Sequence, residues 1–256
     1  MLDTIERRQI IIDQVNELGR VDVENLAKQF KVSTVTIRTD LNTLDKKRLL
    51  VRSRGGALPT SKITKELSVK EKHCENLDIK KKLAKAAVKL IKNNESIIID
   101  SGTTTEEVAK LLVDHNDLVV MTNGLNIVSE LAHANNIEVM NTGGTLRKKS
   151  LSFYGNKAEA SLDNLRFDKL ILGVDGIDIQ VGLTTHFEPE ANLNRLMCNI
   201  SKKIIAVTDS SKFDRSSFHI ITSFDSIDTI ITDSNIPEKY KEYLISKNIE
   251  LIIVDV

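Results

Sequence analysis

Long apolar runs are missing from this 256-residue chain. None approaches the roughly 20 residues that a membrane-spanning helix needs. Residues 1–13 include Asp3, Glu6, Arg7, Arg8 and Asp13, too much charge for a secretory signal peptide. Cysteine is scarce: Cys74 and Cys198 are too few for a disulfide framework. Together these absences lead us to expect a cytoplasmic protein. Net charge is absent as well, with 36 Lys and Arg against 36 Asp and Glu, so the overall balance singles out no partner. Internal repeats and low-complexity tracts are also lacking. What is present is 41% hydrophobic and 28% charged residues, enough to bury a real core. That excludes disordered, collagen-like and coiled-coil chains and leaves one large domain or two smaller ones.

The balanced total hides an asymmetry. Residues 1–60 carry 11 basic and 8 acidic side chains, and the remainder carries 25 and 28. Within residues 28–62, nine Lys and Arg face only Asp40 and Asp45. A local basic stripe on a neutral chain is the footprint of a polyanion-binding head.

The pattern in that stretch predicts a winged helix-turn-helix over residues 1–59. Leu2, Ile5, Ile11, Ile12, Val15 and Leu18 have helical spacing, and Gly19 closes the helix. Asp22 is positioned to cap a helix from Val23 to Phe30. The short Lys31-Val32-Ser33 then forces a sharp turn into a further helix capped by Ser33. Val35, Ile37, Leu41 and Leu44 are expected to point inward. Ser33, Thr34, Thr36, Arg38, Thr39 and Asn42 are left outside, side chains suited to phosphates and base edges in a major groove. Leu49 to Arg52 and Ala57 to Pro59 flank Arg54-Gly55-Gly56, a hairpin wing to which Arg52 and Arg54 bring positive charge. The run Val32-Ser33-Thr34-Val35-Thr36-Ile37-Arg38-Thr39-Asp40-Leu41, with Arg52-Ser53-Arg54-Gly55-Gly56-Ala57, resembles the DNA-binding head of the DeoR-type sugar-operon repressors. Thr39 stands where that family usually has a second Arg, and Arg48 where it usually has Gly.

A lysine-rich connector without glycine follows from Thr60. We expect a linker over residues 60–75 and a second domain over residues 76–256. Short β-branched runs recur there: Ser96 to Asp100, Leu118 to Thr122, Ile137 to Asn141, Lys169 to Val174, Lys203 to Thr208, Thr229 to Thr232 and Glu250 to Val254. Helical patterns between most of them predict an α/β domain with a largely parallel sheet. Ligands of such sheets bind beyond the carboxyl ends of the strands, where this chain concentrates small and polar residues.

The leading candidate site is Asp100-Ser101-Gly102-Thr103-Thr104-Thr105, after a strand and before a helix expected over Glu106 to Leu112. Gly102 permits a tight turn, and the following N–H groups with the hydroxyls of Ser101, Thr103, Thr104 and Thr105 can surround a phosphate. The segment lacks the lysine of a nucleotide P-loop and the three glycines of a dinucleotide site, so no nucleotide cofactor is expected. Asn123, Gly144 and Asp175 lie at further strand ends; Glu190 precedes a helix, and Lys212 can meet a phosphate as a point charge. His186 near Glu188 and Glu190 is a poor metal set, and no Ser/His/Asp or Cys/His catalytic set has persuasive spacing.

Asp100 to Thr105, Met121 to Gly124, Thr142 to Gly144, Leu172 to Gly176 and Asp209 to Phe213 resemble the sensor domain of the same DeoR family, which is similar in fold to ribose-5-phosphate isomerase. The resemblance implies a repressor released from operator DNA by a phosphorylated sugar. It places the phosphate on Gly102, Thr103 and Thr104, and the sugar on Asn123, Asp175, Glu190 and Lys212. Ser152 to Gly155, Thr185-His186, Glu190-Ala191 and Leu193 to Arg195 are similar to members that regulate N-acetylgalactosamine utilisation, implying an amino-sugar phosphate. Paired heads imply a homodimer or homotetramer. The competing expectation is a phosphosugar isomerase with a DNA-binding appendage, whose acid–base groups would be Asp175, Glu190 and Lys212.

Overall fold

A computed structural model describes residues 4–46, 49–53, 55–59 and 66–256. The head opens with α1 (Thr4–Leu18), β1 (Val21–Asp22), α2 (Val23–Phe30) and α3 (Thr34–Lys46), then β2 (Val51–Ser53) and β3 (Gly56–Leu58). Val23, Leu26 and Ala27 form the buried stripe of α2 and join Ile11, Val15, Ile37, Leu41, Leu44 and Leu50 in one small core. Lys31 adopts the left-handed conformation (φ 52°) that ends α2, and the turn into α3 follows at once. Asp22 occupies the position before α2 without a side-chain cap bond, whereas Ser33 Oγ accepts the Thr36 N–H at 3.1 Å and caps α3. The wing is an antiparallel sheet in the order β1-β3-β2.

Val35 departs from expectation: it is 66% exposed. Ile37, Leu41 and Leu44 follow a helical stripe, and Val35 precedes Ile37 by two residues, about 200° around the helix at 3.6 residues per turn. It therefore shares its face with Arg38, Thr39 and Asn42, all exposed.

Beyond the head the chain forms α4 (Val69–Cys74), α5 (Leu77–Val88), β4 (Ser96–Ile99), α6 (Thr103–Lys110), β5 (Leu118–Thr122), α7 (Leu125–Leu131), β6 (Ile137–Asn141), β7 (Thr145–Arg147), β8 (Ser152–Tyr154) and α8 (Asn156–Ala160). It continues with β9 (Phe167–Leu172), β10 (Gly176–Asp178), β11 (Gly182–Thr185), α9 (Glu188–Ile200), β12 (Ser201–Val207), β13 (His219–Thr222), β14 (Thr229–Asp233), α10 (Glu238–Ser246) and β15 (Glu250–Val254). Each of the seven predicted β-branched runs overlaps a strand of one parallel sheet, ordered β15-β14-β12-β9-β4-β5-β6. Strand alternation feeds two cores: Ile98, Leu170, Leu172, Ala206 and Ile230 on one face, and Ile97, Ile99, Ile171, Ile205, Val207 and Ile231 on the other. Burial on both faces is why these strands read as near-continuous β-branched runs.

Two antiparallel pieces have no counterpart in the sequence reading: the β7–β8 hairpin and a small sheet β10-β11-β13. From β4 the chain winds outward through β5 and β6, then returns to β9 on the other side of β4 and continues outward through β12. Strand order therefore reverses between β4 and β9, and a crevice opens beyond their carboxyl ends.

Candidate functional site

The loops after β4 and β9 meet at that crevice. It is a cleft open to solvent, about 820 Å³ when the solvent at its mouth is counted. Gly102 (φ 152°, ψ 167°) lies in backbone space that is essentially reserved for glycine, and so turns the chain from β4 into α6. The helix starts at Thr103, not at Glu106, so the three threonines form its first turn. Its first backbone bond is Glu106 N–H to Gly102 O at 3.1 Å, which leaves the amides of Thr103, Thr104 and Thr105 ahead of the ladder. Ser101 and the three threonines line the cleft, and the Thr105 hydroxyl also donates to Gly102 O at 3.1 Å.

Carboxylates line the same cleft. Asp175 Oδ1 is 2.5 Å from Lys72 Nζ, while Oδ2 accepts from Thr185 Oγ1 at 2.9 Å and the His186 N–H at 3.3 Å. Burial alone would raise the Asp175 pKa, but the Lys72 charge and these bonds hold it at about 2. Glu190, in the first turn of α9, accepts from Ser150 Oγ at 2.5 Å and from Ser152 Oγ, with Arg147 Nη1 3.6 Å away. Asp100 is buried at the floor of the cleft. Burial first, and the Glu190 charge second, push its pKa up to about 8, against hydrogen bonds from Asn123 and the Ser101 and Gly173 amides.

Cations complete the lining. Lys212 projects from a 3-10 turn, Ser210–Lys212, capped by Asp209, which accepts the Ser211 N–H at 3.0 Å. Lys80 of α5 is 3% exposed and donates to Lys72 O. Burial, with Lys212 and Lys72 nearby, pulls its pKa below the ordinary lysine value despite Asp209 and Glu75. A lysine held in such a place gains from an incoming anion.

Among the residues expected from sequence, Ser101, Gly102, Thr103, Thr104, Thr105, Asp175, Glu190 and Lys212 converge on the cleft. Asn123 does not line it. Fully buried, it accepts the Ser101 N–H on Oδ1 at 2.8 Å and so fixes the loop from behind. Gly144 lies in the hairpin region, where an added Cβ would sit 2.5 Å from Tyr154 O; close backbone packing requires glycine there. The sequence reading missed Lys72, Lys80, Ser150, Thr185 and Asn194, all of which line the cleft, and it included Asp100 in the candidate loop without giving it a role. Lys72 lies in the stretch read as linker, and a lysine run carries no period that singles one out. His73, Glu106 and Glu107 bring ligand atoms within 4.8 Å of one another, but Lys110 already pairs with Glu107 at 2.7 Å and Glu106 at 3.4 Å.

On the head, the stripe Val35, Arg38, Thr39 and Asn42 is exposed, and the Thr39 hydroxyl donates to Val35 O at 3.0 Å. Ser33 and Thr36 are joined to each other at 2.9 Å, and Thr34 is half-buried. Arg52 donates its backbone N–H to Asp45 at 3.2 Å and its guanidinium to Arg38 O at 3.5 Å, so the wing braces α3. Arg54 lies outside the described residues.

Residues 7–62 match the DeoR-like helix-turn-helix domain, and residues 75–234 match the DeoR C terminal sensor domain. Head and cleft are thus those of a helix-turn-helix regulator that carries a sensor domain. The chain belongs to the DeoR family. It is 48% identical, over 98% of its length and 94% of the relative's, to a protein of Escherichia coli O157:H7 named for repression of the aga operon. It is 34% identical to the regulator GlpR of Haloferax volcanii, over 96% of each chain. The glycerol-3-phosphate regulon repressor of Escherichia coli K12 is 31% identical over 96% of this chain and 97% of its own. A solved D-ribose-5-phosphate isomerase overlays 54% of each chain at 18% identity and a TM-score of 0.41, too remote to bear on function. Among the described residues, no helix is long and apolar enough to cross a membrane.

Proposed function

We propose that this protein represses a carbohydrate-utilisation operon and leaves its operator when a phosphorylated sugar enters the cleft. The observation that carries this reading is the polarity of the cleft. Its lining joins the orphan amides of α6, Lys80 and Lys212, which suit a phosphate, to Asp175 and Glu190, which suit hydroxyls or an amine. The similarity to a relative named for the aga operon favours an amino-sugar phosphate of the N-acetylgalactosamine pathway.

The head, residues 1–59, reads double-stranded DNA with α3 in the major groove. Its exposed stripe offers Val35 for a thymine methyl, Arg38 for guanine and Asn42 for adenine. Arg52 extends the positive surface along the wing. One such stripe spans too few base pairs for useful specificity, so heads work in pairs on a homodimer or homotetramer. The effector acts through different affinities for the DNA-competent and DNA-incompetent states.

The test is a thermal-shift panel of phosphorylated amino sugars and ketoses, followed by gel shifts on fragments selected by the protein from a random duplex library. A sugar phosphate that stabilises the protein and releases the DNA supports the reading. Steady conversion of that compound, with no release, would replace it with the isomerase.

A further inference from the structure

The sheet does not close the cleft by itself; residues 66–76, between head and sensor, supply one wall. None of the residues of α4 is buried, so polar contacts hold this wall in place. Lys72 Nζ meets Asp175 at 2.5 Å, and the Val69 N–H donates to Lys149 O at 2.9 Å. Lys80 Nζ donates to Lys72 O. Just before α4, Glu66 takes both terminal nitrogens of Arg147, Nη2 at 2.8 Å, and lies 3.2 Å from Lys149 Nζ. Arg147, stacked 4.3 Å over the Phe187 ring, is also the cation beside Glu190. Both carboxylates assigned to the sugar are therefore linked to the stretch that leads to the head, Asp175 directly and Glu190 through Arg147.

We propose that α4 is a latch: Lys72 occupies the sugar subsite on Asp175, and an entering sugar phosphate displaces it and frees α4. This rests on the cleft being the effector site. A sugar hydroxyl or ammonium approaching Asp175 Oδ1 competes with the lysine for the same edge of the carboxylate. The latched state must break an ion pair to bind ligand and the unlatched state need not. That supplies the differential affinity without which a ligand shifts no equilibrium. An element without buried residues opens at small cost, and its contact with Asp175 is one that the ligand replaces. By reciprocity, the factor by which ligand weakens operator binding is the factor by which operator weakens ligand binding.

The experiment uses the full chain and operator fragments selected by the wild type. Lys72→Met keeps the stem and removes the charge. It is expected to weaken operator binding without ligand at least tenfold and to bind galactosamine 6-phosphate or N-acetylgalactosamine 6-phosphate more tightly. Unchanged operator affinity with weakened sugar-phosphate binding overturns the latch and makes Lys72 a ligand contact. Glu66→Gln, which loosens the second tether from outside the cleft, is expected to move operator affinity in the same direction with sugar-phosphate affinity kept or raised. If neither variant alters operator affinity, the proposal is lost. Failure of the wild type to bind any sugar phosphate defeats the effector reading and with it the displacement step, while operator binding by the two variants separately decides whether α4 controls the head.

Discussion

Asp100 is held at the boundary between charge and neutrality, because burial and the nearby Glu190 push its pKa up to about 8. The unfolded chain releases that proton near pH 4, so between about pH 4 and 8 the folded state binds more protons. This group's contribution is complete below pH 4 and is lost as pH rises towards 8. Asp100→Asn is expected to flatten the fall in thermal stability over that window; an unchanged slope would show that Asp100 ionises normally. Lys212→Met should leave operator binding untouched while weakening effector binding by about 1.5–3 kcal/mol, tenfold or more, because a charge-assisted phosphate contact is removed. Calorimetry checks the loss, and equal affinities would take Lys212 out of the site. Arg38→Ala should cost about 1–3 kcal/mol of operator affinity if the side chain meets a base. Gel-shift curves that superimpose with the wild type would refute that role.

Helix α3 owes its position to an ion-pair knot as much as to its apolar stripe. Asp40, 2% exposed, lies 2.7 Å from both Arg7 and Arg8 of α1. Removing one partner from a buried pair strands the other, so Asp40→Ala should destabilise the head by about 3–5 kcal/mol. Denaturant unfolding measures this, and a cost below 1 kcal/mol would mean that the arginines reach water without it. Much of this head was legible in the sequence, because spacing at 3.6 residues identifies Ile37, Leu41 and Leu44 as one stripe. Val35 was misread because β-branched bulk suggests burial, although its phase on the helix places it opposite. The start of α6 was also misread. Gly102 marks the turn, but polar threonines fit a loop or a first helical turn equally well, and only the backbone bond from Glu106 distinguishes them.

A basic head on a neutral chain makes operator binding an electrostatic event. Raising salt from about 50 to about 200 mM should lower its affinity by orders of magnitude, since each neutralised phosphate releases counterions. A flat salt response would remove the polyanion reading. The order of strands within the sheet, and with it the switch point between β4 and β9, was not legible, because seven β-branched runs permit many pairings. Local order alone decided the helices and wing of the head and the seven runs that became the parallel sheet, through periodicity, capping residues and the small residues that follow strands. Tertiary structure alone decided that Lys72, in a lysine-rich connector, reaches Asp175 across 103 positions of chain, and that Arg147 joins Glu66 to Glu190. Periodicity acts over a few residues and can be read from a string, whereas the meeting of distant charges depends on how the whole sheet is wound.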